Sequence, residues 1–274
     1  MRLARLSAII LPLLAFATPG LAAMPLAAHR AVYDLSLDKA SDRSGITGLT
    51  GRMVYEFNGS PCDGYTVNFR FVTRIQTSDV SRLTDQQTTT FEDADGKSFS
   101  FFTKSFVDQA PEKETKGTAR LQGSKLVVIK EKPDPQTIDL QPSQFPTRHL
   151  EEVIAKANAG QTFYETSLFD GSEDADRVMT TTVVIGKPQA TTDADPEKPA
   201  LGGAASEKFW PVEIAYFDDS KKDGEATPEY RISFKLYENG MSRDLTMDYG
   251  EFSMKGKLVN LALYPKPVAN ACNR

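Results

Sequence analysis

Apolar and polar side chains alternate along much of the chain beyond residue 30. From Tyr33 to Leu37 the apolar side chains fall on one face and the polar ones on the other, which predicts a half-buried strand. The same period of two recurs at 53–57, 65–71 and 230–236. Polar turn sequences separate these segments. The pattern predicts an antiparallel meander, barrel or sandwich rather than alternating βαβ units.

Other short segments have strand-like alternation or many β-branched and aromatic residues. They lie at 88–92, 98–106, 117–121, 125–131, 161–168, 178–185, 245–249, 252–254 and 258–264. Asn239-Gly240 predicts a tight turn between two strands of the last third. We therefore expect a mainly β protein.

One segment has helical spacing instead. Its recurring apolar residues are Leu150, Val153, Ile154 and Ala157. Gly160, a residue that commonly ends helices, follows them. We predict a single short helix at about 147–158, packed on the sheet through this stripe.

The segment 187–208 has a different composition. It contains three prolines, Gly202-Gly203 and several small or charged residues. Such a sequence buries too little apolar surface to order itself strongly. We predict a long exposed loop within one domain, rather than a boundary between two domains.

The N-terminus has the features of a secretory signal. Arg2 and Arg5 precede an apolar run at 6–17, and small residues lead to a predicted cleavage site near Ala23. The run is shorter than the roughly 20 apolar residues that span a bilayer. We predict a signal peptide at 1–23 and a single β-rich exported domain at 24–274; the alternative is an uncleaved membrane anchor.

Net charge narrows the classes of partner. The formal charge is −5, and removal of residues 1–23 takes away two arginines and no acidic residue, which leaves −7. A surface with excess negative charge is poorly suited to phosphate-rich partners. We therefore expect neither nucleic acid nor a bare anionic membrane as a partner.

Cys62 and Cys272 are the only cysteines of the chain. An exported protein meets an oxidising compartment, in which disulfides persist. Cys62 lies in the predicted turn at 58–64, and Cys272 lies on a tail that a covalent bond would tie down. We predict a disulfide between them; the alternative is a pair of buried or intermolecular thiols.

The chain lacks several common catalytic and phosphate-binding sequence motifs. The chain has no Gly-x-Ser-x-Gly, no glycine-rich phosphate loop and no His-Glu-x-x-His. Its two histidines, His29 and His149, are expected to be solvated or near a helix cap. Trp210, which precedes Pro211, suits either a pocket or, more often, a core or hinge position. We predict no catalytic, cofactor-binding or metal site.

The acidic segment 170–176 superficially resembles a calcium loop. Ala175 stands where such a loop needs glycine, and Thr181 stands where it needs a bidentate acid. We interpret the segment as a charged turn.

Several segments together resemble the EipB family of cell-envelope integrity proteins from α-proteobacteria. They are the sequences at 29–37, 51–57 and 62–65, the pair Trp210-Pro211 and the C-terminal Cys272. The resemblance implies a periplasmic protein whose bent antiparallel sheet forms an open, spiral-like β-barrel. It also implies that the family's paired cysteines fall on Cys62 and Cys272, a link to a periplasmic tetratricopeptide-repeat protein, and no established catalytic residues.

These observations lead to one expected function and two alternatives. We expect a non-enzymatic periplasmic protein that maintains cell-envelope integrity and stress resistance by binding an envelope protein partner. The first alternative is a carrier of lipid or lipoprotein acyl chains, because half-open barrels can shelter such chains. The second is an enzyme that uses acidic residues.

The disulfide prediction has a direct test. Replacing Cys62 or Cys272 with serine should lower the melting temperature, because a bridge between residues about 210 positions apart stabilises by roughly 5 kcal/mol before strain is subtracted. Thermal unfolding with and without reductant measures the effect. Equal melting temperatures would contradict the prediction.

Overall fold

A computed structural model describes residues 26–218 and 227–265 of the chain. The strands are β1 His29–Ala40, β2 Ile46–Ser60, β3 Gly64–Thr77, β4 Ser81–Glu92, β5 Ser98–Val107, β6 Ala110–Gln122, β7 Lys125–Lys132, β8 Gln136–Leu140, β9 Phe163–Leu168, β10 Met179–Ile185, β11 Gln189–Ala190, β12 Lys208–Phe217, β13 Tyr230–Tyr237, β14 Ser242–Asp248 and β15 Phe252–Leu263. The helices are α1 Pro146–Asn158 and α2 Lys198–Leu201, with 3-10 turns at Asp42–Ser44 and Gly202–Ser206. The predicted signal peptide and Cys272 lie outside the described residues.

All the described strands belong to one antiparallel sheet. Its order is β8-β7-β6-β5-β4-β3-β2-β1-β15-β14-β13-β12-β10-β9, with β11 paired to β12. The first strand pairs with the last in the middle of the sheet, with His29 opposite Leu263. This confirms the predicted mainly β, antiparallel, unclosed fold. The predicted helix is present as α1, but α2 was not anticipated.

The sheet curls so that its two ends come close without forming a ladder. Gln144, which lies between β8 and α1, forms a single parallel bridge with Leu168 at the end of β9. Its N–H donates to the Ser167 carbonyl at 3.0 Å, and its carbonyl accepts from the Phe169 N–H at 2.9 Å. A seam between β8 and β9 therefore remains at the edge of the sheet.

Helix α1 lies against the inner face of the sheet and is fixed at its N-terminus by Glu92. The buried Glu92 carboxylate accepts from the Thr147 N–H at 2.7 Å and from the Arg148 N–H at 3.0 Å. These bonds satisfy backbone donors that a helix leaves unpaired. Burial raises the pKa of Glu92. Along the helix, the predicted stripe packs into a cluster that includes Trp210, which is therefore a core residue.

Two further apolar clusters are buried. One surrounds Tyr33, Tyr237 and Met241 and includes Leu201 of α2. The other packs Phe99 and Phe101 of β5 against Phe145, which precedes α1, and against Phe169 and Ala175, which follow β9. The segment that joins β8 to β9 and the loop that joins β9 to β10 thus supply part of the core. No helix in the described part of the chain is long and apolar enough to cross a membrane.

The segment 187–208 differs from the predicted weakly ordered loop. Most of it is exposed, but Glu197, Leu201 and Ala204 are buried. Glu197 accepts from the Leu258 N–H at 2.6 Å and from Arg243 at 3.0 Å. The exposure was predicted correctly and the weak order was not, because the anchoring partner is remote in sequence: Arg243 lies 46 residues away and its side chain is fully buried.

The two histidines are buried rather than solvated, although His149 does lie near the N-terminal cap of α1, as predicted. His29 is 2% exposed and contacts the Ala27 carbonyl at 2.7 Å. His149, in the first turns of α1, is 5% exposed and lies 3.3 Å from the Thr181 hydroxyl. Burial lowers the pKa of both, to about 4 for His149. The sheet buries both histidines, and nothing in the sequence around them predicts this burial.

The Glu197 anchor predicts a large loss of stability on truncation. Glu197→Ala leaves Arg243 with Asp195 as its one remaining buried carboxylate and leaves the Leu258 N–H without its acceptor, which should cost roughly 2–3 kcal/mol of unfolding free energy. Denaturant unfolding measures this. The exposed Glu207, in the same segment, supplies the control: Glu207→Ala should change stability by less than about 0.5 kcal/mol. Equal losses for the two variants would contradict the anchoring role.

His149 predicts a pH dependence of stability. Between pH 6.5 and about 4 the unfolded chain binds a proton at this residue that the folded chain does not. The unfolding free energy therefore falls as pH falls through this window, by about 3 kcal/mol from this residue. His149→Gln should remove this part of the decline, as measured by unfolding at several pH values. Parallel curves for the variant and the natural chain would refute it.

Candidate functional site

The concave side of the curled sheet contains an open cleft of about 780 Å³. One wall comes from β3 to β6, and the opposite wall comes from β10 and β12 to β14. The loop between β9 and β10 lies at its rim. The cleft is formed by residues that are distant in sequence and that the curl brings to face one another.

The β10–β14 wall is mainly aromatic and apolar. Tyr216, Tyr230 and Tyr249 form a row across neighbouring strands, with ring centroids 5.4 Å and 5.0 Å apart. Met179 and Met247 extend this wall. Burial raises the pKa of all three tyrosines, so their hydroxyls remain protonated and can donate hydrogen bonds at neutral pH. The wall therefore offers apolar surface with polar tips.

The wall from β3 to β6 becomes more polar along one row of residues that are paired across the four strands. Phe71 of β3 lies opposite Gln86 of β4, which lies opposite Ser105 of β5, which in turn lies opposite Lys113 of β6. The row passes from an aromatic ring to an amide, a hydroxyl and an ammonium group. This wall offers hydrogen-bonding groups facing the aromatic wall.

The rim loop is held to β6 by polar contacts. Lys113 pairs with Asp174 at 2.8 Å, and the Thr115 hydroxyl donates to the Glu173 carbonyl at 3.2 Å. The hydrogen bond from Lys113 lowers the pKa of Asp174. Gly171 has a φ of 70° and approaches the Phe101 ring so closely that an added Cβ would lie 2.6 Å from it. Glycine at this position lets the loop cross close to the sheet.

Charges at the rim compensate one another. Arg177 contacts the Asp218 carboxylate at 2.6 Å and the Glu173 carboxylate at 2.7 Å. The segment interpreted from sequence as a charged turn thus forms ion pairs at the mouth of the cleft. The described residues contain no group of three or more His, Cys, Asp or Glu side chains arranged to hold a metal ion. What this lining supplies is van der Waals surface and hydrogen bonds, the two ingredients of ligand binding.

Of the two cysteines predicted to form a disulfide, the structure describes only Cys62. Cys62 lies in the turn between β2 and β3, as expected, and its N–H donates to the Ser60 hydroxyl at 3.2 Å. Its proposed partner, Cys272, is outside the described residues, so the pairing remains a prediction. The cleft itself was missed from sequence. The only local signal was the alternation of the strands, which shows that some side chains point inward. The same alternation occurs whether the inward side chains fill a core or line a cavity.

Comparisons with known proteins agree with this architecture. Residues 21–265 match the family model described as EipB-like. The chain is 60% identical over 243 residues to the cell envelope integrity protein EipB of Brucella abortus (strain 2308), covering 88% of this chain and 86% of that protein. It is also similar to the crystal structure of a beta-barrel-like protein of a domain of unknown function from Brucella abortus. That match has a TM-score of 0.85 and 60% identity, and it covers 88% of this chain and 99% of that one. The chain belongs to the EipB-like family.

Proposed function

We propose that this protein maintains the integrity of the cell envelope as a non-enzymatic periplasmic factor that binds another envelope component in its cleft. The observation that carries the proposal is the cleft of about 780 Å³, in which an aromatic wall faces a hydrogen-bonding wall. A cavity of this volume lies within the range of pockets that bind small molecules or side chains of a partner. The name of the 60% identical relative supports a role in the envelope.

An envelope protein is the partner that the lining supports best. Protein side chains present both apolar groups and hydrogen-bonding groups, which match the two walls. The rim pairs, such as Lys113 with Asp174, place opposite charges where a polar rim surrounds an interface. The tetratricopeptide-repeat protein that the family resemblance implies is a candidate for this partner.

A carrier of lipid or lipoprotein acyl chains is the rival function. Such a cavity would need mainly apolar inward residues, and here Gln86, Thr103 and Ser105 line the cleft beside the aromatic rings. The lining therefore favours an amphipathic occupant over an acyl chain. Native mass spectrometry of protein purified from its own periplasm separates the two, because co-purifying lipid would support the carrier.

Filling the cleft should abolish function without unfolding the protein. Ser105 lines the cleft, and Ser105→Trp places an indole in the space that a ligand would occupy. The expected result is that the variant fails to restore survival on a membrane-active detergent to a strain lacking the natural gene. Expression level and melting temperature show whether the variant folds.

Ser100 provides the matched control for this experiment. It lies on the same strand, but it alternates with the buried Phe99 and Phe101 and therefore faces the outer side. Ser100→Trp should restore survival as the natural protein does. If a folded Ser105→Trp variant also restored survival, binding in the cleft would not be the function.

A further inference from the structure

We propose that the free edge of β9 is a second binding surface, which takes an extended segment of a partner protein as an added strand. The inference rests on the proposed function of partner binding and assigns to it a surface separate from the cleft. Strand β9 is one end of the sheet: one of its edges is paired with β10, and the other forms a single bridge, between Leu168 and Gln144. Unpaired strand edges present backbone donors and acceptors that another extended chain satisfies.

The direction of the backbone groups follows from the hydrogen bonds at both ends of β9. The Thr162 carbonyl accepts from Ile185, beside β10, and therefore points into the sheet. The Ser167 carbonyl and the Phe169 N–H bond to Gln144 and point to the opposite side. Because these directions alternate along a strand, the N–H and C=O groups of Phe163 and Glu165 point away from β10.

The same edge already accepts a chain segment at its far end. Gln144 pairs with the last residue of β9, Leu168, in a parallel bridge, and the bridge ends there. At Leu168 the outer edge of β9 therefore already pairs with extended backbone, and the unpaired seam between β8 and β9 begins next to this residue. An added strand at Phe163–Glu165 would extend that pairing along the seam.

Side chains set β9 apart from the opposite end of the sheet. Phe163 is 61% exposed, and Val184, directly across from it on β10, is 48% exposed. Together they form an apolar pair beside the free edge. Strand β8 is flanked by Pro135 and Pro142, and its exposed Asp139 is held by Lys125. Prolines protect an edge against pairing, and β9 contains none, so β8 is the protected edge and β9 the open one.

The partner is a segment in extended conformation with an apolar residue near Phe163 and a basic residue near Glu165. Cross-strand neighbours on one face interact most favourably when they are both apolar or oppositely charged. Glu165 is exposed and has no ion-pair partner among the residues that the structure describes. A basic residue on the added strand would supply one.

A photoreactive group on the edge tests this proposal. The full chain is produced in its own bacterium with p-benzoyl-phenylalanine in place of Phe163, and cells are irradiated. The expected product is a cross-link to one short segment of another envelope protein, located by mass spectrometry. A synthetic peptide of that segment is then titrated against the purified chain. Its binding should slow hydrogen exchange at the amide of Glu165 by about tenfold or more.

A backbone substitution separates strand addition from contact by side chains. Glu165→Pro removes an N–H that points away from β10, so it blocks the added strand while keeping the β9–β10 ladder. It should weaken peptide binding by about tenfold or more, which corresponds to the loss of one or more hydrogen bonds. Glu165→Ala keeps the N–H and removes only the carboxylate, so it should weaken binding by no more than the few-fold that an exposed ion pair supplies, clearly less than Glu165→Pro. Melting temperatures close to that of the natural chain would show that both variants fold.

Each remaining outcome would overturn the proposal. A cross-link to a second copy of this chain would make the edge a self-association surface, and a cross-link to residues 266–274 would make the occupant the chain's own tail. No cross-link, or a folded Glu165→Pro variant that binds the peptide normally, would mean that β9 takes no partner strand. None of these outcomes affects the test with Ser105→Trp. The proposal for the β9 edge and the proposal for the cleft can therefore be rejected independently.

Discussion

The inner face of a single curled sheet must be filled, and the structure depends on how this chain fills it. The connection between the two ends of the sheet supplies α1, and the loop from β9 to β10 lies beside it. They pack Phe145, Phe169 and Ala175 against the phenylalanines of β5. Burying these apolar surfaces holds the two halves of the sheet at a fixed distance. The cleft exists because that packing stops short of Tyr216, Tyr230 and Tyr249.

Two buried carboxylates fix the positions of segments that apolar packing alone would leave loosely placed. Glu92 holds the start of α1, and Glu197 holds the segment that leads to β12. In both cases one buried carboxylate accepts two or more bonds from groups distant in sequence. Such bonds are directional, so they specify where a segment sits, whereas apolar contacts specify chiefly that it is buried.

The parts that sequence predicted are those with local signals. Alternation marks strands such as 33–37 and 230–236, and the stripe ending at Ala157 marks α1, because each pattern is complete within a few residues. Strand pairing is different. Nothing near His29 indicates that it lies opposite Leu263, since the register of remote strands leaves no trace in either segment.

Site prediction met the same obstacle. The cleft combines one or two residues from each of eight strands, and each of them appears in sequence as one more inward-facing side chain. The buried histidines and the Arg243–Glu197 pair were missed for the same reason, because burial is created by elements that are remote in sequence. By contrast, the turn that holds Cys62 is defined by its own glycines and proline, and it was placed correctly.

The pairing of β1 with β15 has a consequence for the order in which the protein assembles. In a chain made from its N-terminus, β1 emerges first and β15 nearly last, so one edge of β1 stays open until almost the whole chain has been delivered. The strands β2 to β8 pair as consecutive neighbours and can form a growing ribbon meanwhile. Contacts of such long sequence separation are slow to form and leave strand edges exposed. The middle of the finished sheet is therefore the last place to close.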